Sequence, residues 1–146
     1  MSQLENGFSN TAGIGRGAAA VRAAEALLRT LGGDEVVFRV PSATANPGDS
    51  AQLGLAGTAT EDVSLAPVVV QQARSASPST QSGELELLIS AASLGRAREI
   101  HKASDALAFF ESALGVVVRE RLMRVVSVKT EQLGGVAYLY SVRVCF

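Results

Sequence analysis

Cysteine and histidine occur once each, at Cys145 and His101, and tryptophan is absent. A lone cysteine forms no internal disulfide, so this fold must be held by its core. A lone histidine leaves a zinc site short of its usual ligands. Charged residues are only 18% of the chain, and 13 Lys+Arg against 14 Asp+Glu give a net charge of -1. The overall basic excess of a module that holds nucleic acid by neutralising phosphates is therefore missing. Long apolar runs are missing too: wholly apolar stretches such as Val116 to Val118 are far below the ~20 residues of a bilayer span. The opening Met-Ser-Gln-Leu-Glu-Asn-Gly-Phe lacks the basic region and apolar run of an export signal. These absences predict a soluble, non-membrane protein made in a reducing cytoplasm.

What the chain does have is apolar content, 47% of 146 residues, enough for one buried core and one domain. Residues 1–15 show no apolar period and read as an arm, ordered only where a neighbour holds it. From Gly17 to Leu31, Ala20, Ala24, Leu27, Leu28 and Leu31 fall on one side at helical spacing, with Arg22, Glu25 and Arg29 on the other. Gly32 and Gly33 stop this helix.

The period then changes. Glu35 to Val40 is β-branched and aromatic and ends at Pro41, which reads as a strand. Ser42 to Ser50 reads as a loop, Gln52 to Leu55 as a possible short strand, and Glu61 to Gln71 as a strand with an edge or bulge at Pro67. Ala73 to Ser82 is small and polar, the composition of a long loop, and Glu84 to Ala92 alternates as a half-buried strand. Ser93 to Leu114 is expected to be helical in its second half. Ser104 is its cap, and Ala106, Leu107, Phe110, Ala113 and Leu114 form its apolar stripe. Val116 to Thr130 reads as one long bent strand. Leu133-Gly-Gly135 then turns into a last strand with Val136, Tyr138, Tyr140, Val142, Val144 and Phe146 on one face. The expected fold is mainly β: a small antiparallel β-barrel with an N-terminal helix and one further helix before the C-terminal hairpin. It divides into an arm and helix over 1–33 and a barrel over 34–146, with a helical insertion around 96–114.

Chemistry is thin. Gly13-Ile-Gly-Arg-Gly-Ala18 fits a dinucleotide-binding spacing, but no strand precedes it and no parallel unit follows. His101, Ser104 and Asp105 lie close in sequence without a nucleophile elbow, and Ser104 is better explained as a cap. No catalytic residue, cofactor site or metal site is assigned, and the chain reads as a non-enzyme. Charge is distributed unevenly: residues 41–92 hold one basic and five acidic residues, residues 93–146 eight basic and five acidic. Unlike patches of this kind suit head-to-tail contacts between identical subunits, and ordinary surface scatter gives them too.

The order of elements resembles a known family on these segments: the strand ending Arg39-Val-Pro41, Glu61-Asp-Val-Ser-Leu-Ala-Pro-Val-Val-Val70, Gly83-Glu-Leu-Glu-Leu-Leu-Ile-Ser-Ala91, Leu122-Met-Arg-Val-Val-Ser-Val128 and Gly134 to Val144. It is similar to the head-tail joining (neck, stopper or head-completion) proteins of tailed bacteriophages and prophages, over about residues 34–146. The resemblance implies a β-barrel subunit of a homo-oligomeric ring in the virion neck, between portal or adaptor and tail proteins. Double-stranded DNA passes through such a ring without sequence reading. It implies subunit or partner contacts, for which Arg22, Arg29, Arg119, Arg121, Glu61 and Asp62 are the candidates. It also implies a channel loop, either Ser42 to Ser50 or Ala73 to Ser82; in the latter the candidates are Arg74, Ser77, Pro78 and Thr80. Two alternatives stay open: a tail-side terminator subunit, and a monomeric barrel binding a small apolar ligand beside Tyr138, Tyr140 and Phe146.

Overall fold

The computed structural model describes residues 2–42, 59–74, 83–101 and 105–146. In chain order they form α1 (Ser2–Thr30), β1 (Asp34–Pro41), β2 (Thr60–Gln72), β3 (Leu85–Ser90), α2 (Ala91–His101), α3 (Ala106–Ser112), β4 (Gly115–Val118), β5 (Arg121–Leu133) and β6 (Val136–Cys145). All pairings are antiparallel, in the order β1-β2-β3-β6-β5-β4, and β4 returns to β1 to close a barrel. The expected antiparallel barrel with an N-terminal helix is what the chain forms. The helical insertion, however, is two helices rather than one.

The barrel is filled. Alternate residues point inward: Val36, Phe38 and Val40 from β1, Val63, Leu65 and Val68 from β2, Leu87 and Ile89 from β3, Val116 and Val118 from β4, and Tyr140, Val142 and Val144 from β6. Eight strands are about the number at which a barrel's interior is just wide enough for side chains to fill, so six leave no lumen. Helix α3 adds Phe109 and Phe110 to this core. Phe110 is the hub, its ring centroid 5.6 Å from Phe38, 5.5 Å from Phe109 and 5.7 Å from Tyr140. The expected stripe is partly wrong here: Leu107 and Leu114 are exposed, because α3 is only seven residues long and Leu114 lies in the bend after it.

Helix α1 begins at Ser2, not near Gly17, so the segment expected as an arm is helical and Gly13 to Ala18 lie inside the helix. Its end follows the glycine reading. The Gly33 N–H donates to the Leu28 carbonyl at 3.1 Å and the Gly32 N–H to the Arg29 carbonyl at 3.3 Å, with Gly32 at φ +100°. The buried face is rotated from the expected one: Gly17 and Leu28 are buried, Ala20, Val21 and Ala24 half-buried, while Leu27 and Leu31 are 58% and 59% exposed. Glu25, expected on the polar side, is half-buried and accepts from Arg29 at 3.1 Å and Arg96 at 2.6 Å, which ties α1 to α2. These two arginines hold the Glu25 carboxyl below its ordinary range, with the Arg96 hydrogen bond the leading cause.

Three boundaries differ from the sequence reading for local reasons. β3 stops at Ser90 because the Ser90 hydroxyl accepts from the Ser93 N–H at 3.1 Å, capping α2. The segment expected as one strand from Val116 is cut by a two-residue turn, with Arg119 at φ 48° and Glu120 at φ 68°. Pro67 does sit in a bulge: Asp34 pairs with Val68 and Val36 with Leu65, so two β2 residues stand against Glu35. The C-terminal hairpin forms as expected, turning at Gly134 and Gly135 with φ 60° and 77°. The possible strand at Gln52 to Leu55 lies outside the described residues.

Candidate functional site

Among the described residues the interior is filled with apolar side chains and the charged ones lie at the surface. Because β1 and β2 are antiparallel neighbours, the connection leaving Pro41 and the one leaving Gln72 emerge at opposite ends of the barrel. The first end also holds α3, whose following Leu114 N–H donates to the Arg39 carbonyl at 2.8 Å. The second end holds the β4–β5 turn, Arg74 and the C-terminal Phe146. There Arg119 meets Asp34 at 3.2 Å, Arg143 donates to the Arg74 carbonyl at 3.3 Å, and the Arg121 guanidinium lies 5.4 Å from the Phe146 ring centroid.

The six candidate contact residues fall in three places. Arg22 and Arg29 are exposed on α1, Arg29 paired with Glu25. Arg119 and Arg121 sit at the β4–β5 turn, while Glu61 and Asp62 start β2 at the other end. Asp62 is already answered within the chain. It lies opposite Arg39 and accepts a forked pair of bonds, Nε to Oδ1 at 3.0 Å and Nη2 to Oδ2 at 3.3 Å. That guanidinium holds the Asp62 carboxyl below its ordinary range. Of the candidate channel-loop residues, Arg74 is exposed where β2 ends, and Ser77, Pro78 and Thr80 lie outside the described residues. So do most of Ser42 to Ser50, Ser104 and the His101 side chain.

A polar stripe crosses the outer wall, on the strand face that Glu84 and Glu86 share by alternation. Glu86 on β3 accepts from Gln71 on β2 at 2.7 Å and, by a short hydrogen bond, from the Ser141 hydroxyl on β6. Ser141 and then Gln71 hold the Glu86 carboxyl below its ordinary range, aided by the charges of Arg143 and Lys129. The period-two alternation places these residues on the outer face, yet their pairing depends on strand order, which a single strand's pattern does not reveal. Cys145 accepts from the Arg124 Nε at 3.2 Å.

The aromatic face proposed for a small ligand does not hold together. Tyr140 packs in the core against Phe110, whereas Phe146 is exposed under Arg121. Among the described residues, no group of three or more His, Cys, Asp and Glu is placed to hold a metal ion, and no helix is long and apolar enough to cross a membrane. One cleft of about 260 Å³ opens between α3 and β5, lined by Leu107, Phe110, Glu111, Ala113 and Val125 to Val128. Comparison with protein-family models finds no match, and comparisons with curated proteins and with solved structures find none either.

Proposed function

We propose that this chain is a structural subunit of the neck of a tailed phage or phage-like particle. In this reading it is a head-tail connector or stopper that assembles into a ring between portal-side and tail proteins, with double-stranded DNA passing through the ring. The observation that carries the reading is the closed barrel with a filled interior: such a body offers surfaces for assembly. DNA cannot thread a six-stranded barrel packed with side chains, so in this role the channel is formed between copies. The near-neutral charge also fits, because tight neutralisation of phosphates would impede passage of DNA.

The test is light scattering with negative-stain imaging, on the protein alone and mixed with portal-side neck proteins, should its genomic neighbours encode any. Rings, or a monomer that joins the neighbouring complex, are the expected result. A monomer with no affinity for any such neighbour overturns the assignment.

A further inference from the structure

The barrel closes unevenly. β4 pairs with β5 only from Arg121 to Met123, while β6 accompanies β5 on its other side to Leu133. From Arg124 onward no strand among the described residues pairs with β5 on the side away from β6, an edge of roughly 33 Å. Unpaired strand edges of this length invite another strand. Here α3 stands off part of the edge instead of sealing it, and the 260 Å³ cleft lies between them. Leu107 and Val126, which line it, and Leu133 at the end of the edge are about half exposed, although each is apolar.

We propose that this edge and cleft form a docking site for an extended segment of a partner protein in which apolar and acidic residues alternate. The backbone chemistry selects the conformation, since a strand edge with no partner among the described residues is matched by another extended chain. The side chains select the pattern. Val125 and Val128 are half-buried on the inner face and continue into the cleft walled by Leu107, Phe110 and Ala113, so inward residues of the added strand must be apolar. Glu111 on the cleft wall disfavours acid there. On the outer face Arg124 and Lys129 are exposed, with Glu131 bridging Lys129 at 2.7 Å, so outward residues of the added strand meet net positive charge. This site is independent of the neck reading and survives its failure.

The test uses the full chain and a short, capped, dye-labelled peptide alternating glutamate and valine. A block isomer of the same composition and an alternating lysine-valine peptide serve as controls. Anisotropy at low salt is expected to show saturable binding of the alternating acidic peptide, about tenfold or more tighter than either control. Amide hydrogen exchange is expected to slow within residues 124–133. Leu107→Lys, at an exposed position, should weaken binding about tenfold, and Lys129→Glu should shift preference to the lysine-valine peptide; unchanged urea midpoints verify that both variants fold. No binding up to millimolar peptide, equal binding of the block isomer, or protection elsewhere overturns the proposal. So does protection of 124–133 that grows with protein concentration alone, which makes a second copy the occupant.

Discussion

Replacing Phe110 by alanine removes the residue on which the aromatic core converges. Phe110 is 1% exposed and touches three other rings, with centroids at 5.5 to 5.7 Å. Phe to Ala in a core costs about 3–5 kcal/mol, from lost transfer energy and the cavity left behind. Phe110 belongs in the upper part of that range, because ring pairs add ~0.5–1.5 kcal/mol beyond area and α3, being short, has little freedom to collapse into the hole. With a urea m-value of about 2 kcal/mol/M, the unfolding midpoint should fall by about 2 M. Phe109→Ala, with two ring partners, should fall by less. Leu27→Ala, at a 58% exposed position, should shift it by the equivalent of about 0.5 kcal/mol or less. Equilibrium urea denaturation followed by far-UV circular dichroism reads all three. A midpoint for Phe110→Ala within error of Leu27→Ala would refute the claim that α3 is part of the barrel core.

Other perturbations probe other layers. Glu120→Gly relieves a non-glycine residue at φ 68° and should raise stability by about 1 kcal/mol, or a melting temperature by roughly 2–4 °C; a fall would show that the turn is not strained there. Gly17→Ala places a Cβ 2.5 Å from the Val136 Cβ and 2.9 Å from the Leu133 carbonyl oxygen, so despite alanine's better helix propensity it should cost about 1–3 kcal/mol, measured in the same urea titration. Glu86 has its folded carboxyl held below the ordinary value of about 4.5, so its contribution is present above that value and is lost as the pH falls through the lower folded one. The stability gap between the native chain and Glu86→Gln, about 1 kcal/mol or less because the group is partly solvated, should therefore hold above the ordinary carboxyl value and close as the pH falls below it; a gap independent of pH refutes the assignment.

Strands were legible where alternation and punctuation agreed. Phe38 and Val40 point inward as spaced, Pro67 marks a bulge, and the glycine pair at 134 and 135 turns the last hairpin. Misreadings arose where tertiary contacts decide. Nothing in Val-Arg-Glu-Arg signals a turn, since Arg119 and Glu120 adopt a conformation usually left to glycine or asparagine. The rotation of α1 follows from Gly17 fitting against the β5–β6 turn, a close approach that α1's own apolar period does not record. Ser90 was readable as a helix cap, but the alternation of Leu85, Leu87 and Ile89 carries the eye past it. The surface features depend on strand order: Gln71, Glu86 and Ser141 meet only because β3 lies between β2 and β6.

That order also constrains the channel. The two candidate loops leave opposite ends of one barrel, Ser42 after β1 and Arg74 after β2, so in a ring of equivalent subunits only one of them faces a central channel if the barrel axis points toward it. The chain's single native cysteine makes the question tractable: Cys145→Ser gives a background into which Ser42→Cys or Arg74→Cys is introduced separately. Each thiol is labelled with a photoreactive group, the protein is assembled into DNA-filled particles, and crosslinks to DNA are counted. Arg74 is the residue expected to crosslink: Arg119 is paired with Asp34 at its end as Arg39 is with Asp62 at the other, and around Arg74 the remaining Arg121, Arg124 and Arg143 with Arg74 itself outnumber Glu35, Glu84 and Glu120. Equal crosslinking from both positions would mean that the barrel lies tangentially in the ring, and crosslinking from Ser42 alone would reverse its polarity.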